Sequence, residues 1–190
     1  MLMKKYSYMK QSILEYYADK DADSIQNSKF KSKDWTDWCD LIKDTKASKH
    51  LKLENGSMGQ NMCYTAFVIC KGIRTEQLKS AEHFYILKSI VGDFVTFYGT
   101  LDTNIFYEND TIRHPQLIVL SPIGPFSDLF ESAWNLMCKN YPNCCYVPYR
   151  TLAITPTEPQ FENKNIYELL FGYEGDLKTN VYGDRHYSPE

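Results

Sequence analysis

His83-Phe84-Tyr85-Ile86-Leu87-Lys88-Ser89-Ile90-Val91-Gly92-Asp93-Phe94-Val95-Thr96-Phe97-Tyr98-Gly99 is the stretch that decides the fold. Two runs rich in β-branched and aromatic residues, 84–90 and 94–98, flank Val91-Gly92-Asp93. Glycine supplies the turn, and the pattern predicts an antiparallel hairpin. Upstream, residues 62–70 have the same composition and predict another strand. Downstream, 116–120 reads as a buried strand on its apolar run Leu117 to Leu120, and it is stopped by Ser121-Pro122 and Gly124-Pro125. Between these pieces, 75–81 reads as a short helical link. Residues 101–116 are mixed, with a strand expected around 104–107.

Helical patterns bracket the strands. Met3, Tyr6, Met9, Ile13, Leu14 and Tyr17 recur at helical spacing over 3–18. Asp34 stands as an N-cap before Trp35, Trp38, Cys39, Leu41 and Ile42, whose tryptophans are expected to anchor a core. The strongest helix is 127–140, where Phe126, Leu129, Phe130, Ala133, Trp134 and Met137 make one apolar face. Residues 145–154 read as a strand carrying one proline. Residues 165–171 read as a short helix closed by Gly172, where a helix end wants glycine. The stretches 19–33 and 43–60 are polar loops, and 174–190 is expected to be a mobile tail. The expected fold class is α+β: a single domain over 1–190 with an antiparallel sheet, helices packed on it and an N-terminal helical subregion over 1–60.

Composition narrows the functions. The 190 residues carry 21 basic and 24 acidic side chains, a net charge of -3, which excludes a chain-wide basic field for nucleic acid or anionic lipid. Residues 1–60 hold 11 basic and 9 acidic side chains, whereas 61–190 hold 10 and 15, so the acidity lies in the second part. No apolar run approaches the roughly 20 residues of a membrane helix. The lysines near the start are not followed by an apolar run, so no secretory signal is read there and a cytoplasmic location is expected. The six cysteines are then expected to be reduced thiols. They form no Cys-x-x-Cys pairs, and no glycine-rich phosphate loop is present, so neither metal nor cofactor is expected.

For nucleophilic chemistry the chain offers Cys63, Cys70, Cys138 and Ser121, with His50, His83, His114 and His186 as bases. None sits in a nucleophile motif. Cys63 and Cys70 are seven apart in one expected strand, which points them to opposite faces. An enzyme reading, a hydrolase or transferase, would need the fold to join Cys63 or Cys70 to His83 or His114, or to pair carboxylates. The candidate binding residues are Asp102, Glu108 and Asp110 with Tyr107 beside them. They read either as a solvated loop or as a patch that draws in a basic partner, with the tyrosine as anchor.

Taken in order, the 83–99 stretch, Leu120-Ser121-Pro122-Ile123-Gly124-Pro125-Phe126, Tyr141-Pro142, Val147-Pro148-Tyr149 and Ile166-Tyr167-Glu168-Leu169-Leu170-Phe171-Gly172 resemble one family. That family is the small α+β immunity proteins of bacterial polymorphic toxin systems, and the resemblance covers roughly residues 80–172. It implies a cytosolic protein that binds and neutralises a cognate toxin, with no shared active-site residues to carry over. Many such toxins are nucleases, often basic, which an acidic face would suit. The expected partner is therefore a cognate protein toxin, with no direct contact to nucleic acid or membrane, and the chain itself is expected as a monomer or homodimer. A scaffold protein that oligomerises through an aromatic surface is the further class.

Overall fold

A computed structural model describes residues 2–18, 28–48, 51–59, 61–107, 110–113, 116–161, 164–172 and 180–189. The hairpin expected around Gly92 is its centre and is longer than the apolar runs alone suggest. Strand β3 spans Leu78–Ser89 and β4 spans Phe94–Tyr107. β2, Cys63–Arg74, pairs antiparallel with β3 on its outer side. The short β1, Glu54–Asn55, pairs with β2 only at Ala66 and Phe67. The far side of β4 is shared by three strands in succession. β7, Cys145–Tyr146, pairs parallel to its start; β6, Leu117–Val119, pairs with Gly99 to Leu101; β5, Asp110–Arg113, folds back on its end. β8, Val181–Tyr182, closes the sheet parallel to β6. The fold is α+β, with a mostly antiparallel eight-stranded sheet.

Helices cover this sheet on both faces. On the front face α1, Leu2–Ala18, sets Met9 and Ile13 into a core with Cys63, Leu87, Phe94, Tyr98 and Ile118. The short α5, Ile166–Phe171, joins it with Leu169 and Leu170. On the back face α2, Lys33–Asp44, and α3, Ser127–Asn140, bury Trp38, Leu41, Phe130 and Met137 against Tyr64, Ala66, Phe84, Ile86 and Phe97. The strands of this region are apolar on both sides because both sides are roofed. Gly99 is where β4 lets the back roof approach: a Cβ there would lie 2.5 Å from the Phe126 ring. The two N-terminal helices therefore lie on opposite faces of one sheet instead of packing together.

Several local expectations are corrected. The N-cap of α2 is Ser32, whose hydroxyl accepts from Trp35 N–H at 3.1 Å. Asp34 sits instead in the first turn, where its charge suits the helix dipole and lies 3.7 Å from the buried Lys88 ammonium. Residues 75–81 are not a helix. Thr75 N–H donates to the Leu78 carbonyl at 2.7 Å and β3 begins there, because strands on either side demand extended backbone that outweighs the helical preference of Glu76 and Gln77. Residues 145–154 hold only the two-residue β7; after it Pro148 caps the single-turn helix α4, Tyr149–Leu152. The expected mobile tail is ordered over 180–189, where β8 extends the sheet and Tyr187 packs edge-on to Phe130 and Tyr146. Residues 174–179 lie outside the described residues. Gly172 does end α5, at φ 86°, and Asn165 opens it with a reciprocal cap to Glu168.

Candidate functional site

Strands outrun helices in this molecule. A 12- to 14-residue strand is roughly 40–46 Å long, whereas a 14-residue helix is about 21 Å, so helices of these lengths can roof only part of β2, β3 and β4. The roofed part is proximal, around the Gly92 turn. Beyond it β2 to β5 continue as a distal sheet, and no residue from 71 to 83 belongs to either core.

A bulge marks the boundary. The β2 register shifts between Ile69 and Lys71, so Cys70 is the extra residue. An extra residue exchanges the two faces of everything beyond it. Before the bulge, odd-numbered β2 residues such as Cys63 face front; after it Lys71 and Ile73 stand opposite Glu82 and Ser80, on the back. Ile73 thereby joins Leu78, Ile105 and Ile112, of which the last three are direct ladder neighbours across β3, β4 and β5. The result is a row of four aliphatic side chains crossing four strands, with no helix over it among the described residues. Ile73 is 44% exposed and Ile112 48%. Ser80 and Thr103, whose hydroxyls lie 3.5 Å apart, and the Lys71–Glu82 pair form its polar rim.

The front of the same strands is a groove of about 760 Å³. Its floor is low because the ladder position Gly72–Ala81 offers almost no side chain. One wall carries Lys79 and Asn104, with Arg74 directly opposite Lys79. The other carries His83, Asp102 and Gln116. Gln116 Nε2 donates to Asp102 Oδ1 at 2.8 Å, and His83 Nδ1 lies 3.5 Å from Asp102 Oδ2. That imidazole nitrogen and the Thr100 hydroxyl opposite His83 in the ladder are buried without a hydrogen-bond partner. Phe67 and Tyr85 flank the His83 ring at 6.2 and 6.1 Å.

Of the residues singled out from sequence, Asp102 lies in this groove, where Gln116 donates to one carboxylate oxygen and the His83 ring stands beside the other. Tyr107 and Asp110 face each other at the end of the β4–β5 ladder, so the backbone puts them at the distal tip. Glu108 lies outside the described residues. The catalytic alternative finds its groups apart. Cys63 is fully buried against α5, its thiol 3.1 Å from the Phe171 carbonyl, and pairs with Ser89, six residues along β3 from His83. Cys70 faces the back core, where burial pushes its thiol up to about 11, while His83 faces front. His114 lies outside the described residues. Sequence reading missed Ile73, Leu78, Ile105 and Ile112 because a two-residue alternation that changes phase at a bulge leaves no regular signal, although their aliphatic character was visible.

Among the described residues no group of three or more His, Cys, Asp or Glu is placed to share a metal ion, and no helix is long and apolar enough to cross a membrane. No family model, curated protein or solved structure matches the chain.

Proposed function

We propose that this chain works by stoichiometric binding to a protein toxin, as the cytosolic immunity protein that neutralises it, and that the distal sheet is its contact surface. The observation that carries the reading is the row Ile73, Leu78, Ile105 and Ile112, exposed at both ends and half-buried between, an apolar strip with a polar rim beyond the described helical layers. Such patches on a folded chain favour protein contacts. The resemblance over residues 80–172 supplies the partner class. Of the acidic group Asp102, Tyr107, Glu108 and Asp110, Asp102 lines the groove and Tyr107 and Asp110 pair at the end of the β4–β5 ladder, which supports including the group in the contact surface. A blocking inhibitor needs a rigid scaffold and a complementary surface, and this chain offers a doubly roofed sheet that carries an unroofed one.

Co-expression with the protein encoded beside it in the source genome tests the reading. Rescue of growth and a 1:1 complex on purification are expected, and absence of both toxicity and complex would withdraw it. Charge reversal at Glu108 and Asp110 should leave the fold intact and weaken the complex, most at low salt. Unchanged binding, or an affinity indifferent to ionic strength, would remove the acidic group from the contact surface.

A further inference from the structure

Each face of the distal sheet is too small to hold a partner alone. Four strands spaced about 4.8 Å and five residues at about 3.3 Å give a footprint of roughly 300 Å² per face. A stable protein contact covers about 800 Å² on each partner. Back row, front groove and the exposed turn at Thr75 to Gln77 together approach that area. The two faces also differ in chemistry. The back offers Ile73, Leu78, Ile105 and Ile112, whereas the front offers opposite charges, Lys79 and Asp102, around a low floor with Phe106 as its aromatic contact.

We infer that the distal sheet is a wedge: it enters a cleft in the partner whose one wall is apolar, against the back row, and whose other wall is polar and carries both signs of charge, against the groove. The inference rests on the binding reading above and specifies the shape and chemistry of the partner. A second copy of this chain stacked on the back row would bury only one face, and an added strand along the outer edge of β2 would bury neither. The wedge is the arrangement that covers enough area with the surfaces present. Packing on both sides requires walls standing about 10 Å from the strands on each side.

Residues 80 and 81 are adjacent, and the ladder points Ser80 to the back and Ala81 to the front. Ser80→Cys and Ala81→Cys, made separately in the full chain, put a thiol on each face with little change in volume. Labelling by a charged maleimide is read at each site by mass spectrometry, free and in complex with the co-expressed toxin. Thiol labelling follows access, so both sites should slow at least about tenfold in the complex. Protection of one site alone overturns the wedge while leaving one-faced binding in place. A complex that protects neither moves the contact off the distal sheet and overturns the wedge as well. Failure of the unmodified chain to form any complex overturns the binding reading and the wedge together.

Discussion

The proximal and distal halves of β2, β3 and β4 are the same three strands in two environments. Proximally, Phe84, Ile86, Leu87, Phe94, Val95 and Phe97 are buried on alternating faces beneath α1 and α5 on one side and α2 and α3 on the other. Distally, the same ladders carry His83, Asp102, Asn104 and Lys79 in front and a thin aliphatic row behind. The β3–β4 ladder runs unbroken from Lys88 to Leu78 and carries the sheet into the distal half, but the side chains there add little to a core. The molecule thus separates the residues that hold it together from those that are free to vary with a partner. The separation is enforced by geometry, since strands advance about 3.3 Å per residue and helices about 1.5 Å.

The comparison breaks first if proximal side chains are dispensable. Phe130 is fully buried and meets Phe84 edge-on at 5.0 Å and Tyr187 at 5.2 Å. Phe130→Ala should cost about 3–5 kcal/mol in urea unfolding, and Phe84→Ala a similar amount. A cost below about 1 kcal/mol would mean that the back roof is loosely seated.

Alkali sharpens the same contrast because the buried phenols are all proximal. Burial pushes the Tyr16 phenol up to about 12 from its ordinary 10.0 and raises Tyr17, Tyr141 and Tyr146 as well. The folded state therefore holds these protons more tightly than the unfolded chain. Their stabilisation is complete below pH 10 and is lost as pH rises toward the folded values, so the urea midpoint should hold up to pH 10 and fall between pH 10 and 12. Tyr17 donates to the Leu169 carbonyl at 2.9 Å, tying α1 to α5. Tyr17→Phe should lower stability at neutral pH and flatten the alkaline slope. An unchanged slope would assign the loss to the other phenols.

The proximal half was legible in the sequence because burial on both faces leaves strong signals: the runs at 84–90 and 94–98, the amphipathic face of 127–140, and Gly172 after α5. The distal half was only partly legible. Asp102 and the tip residues read as a surface, but Leu78 reads as part of a helical link, since Glu76-Gln77-Leu78 has no strand preference and becomes extended only through its ladder partners. Ile73 and Ile112 were individually unremarkable, and a register shift at Cys70 brings Ile73 to the same face. The parallel strands β7 and β8 are two residues each, and pairs that short depend on neighbours far away in sequence.

A smaller effect tests the edge of the proximal half. Asn165 accepts from Glu168 N–H at 2.9 Å, and the Glu168 carboxylate accepts from Asn165 N–H at 2.7 Å. Asn165→Ala removes half of this reciprocal cap and should cost about 1 kcal/mol in urea unfolding. A helix of only six residues has few other means of satisfying its first amides, so a negligible cost would mean that tertiary packing alone holds α5.

The smallest change belongs to the distal row. Ile112 is 48% exposed and pairs with Ile105 on a strand whose ladder partner is β4, so among the described residues about half of its side chain stays open to water. Ile112→Thr keeps the β-branch that suits a strand and removes apolar surface that is already half in water. Unfolding free energy should change by no more than about 0.5 kcal/mol. A loss above about 2 kcal/mol would show that the distal sheet shares the proximal core and would dissolve the distinction between the halves. The same variant, assayed against the toxin, should weaken the complex, because contact with a partner is the condition under which this side chain becomes buried. An exposed isoleucine that costs nothing to replace in the free chain and something to replace in the complex is what separates a docking row from an unfinished core.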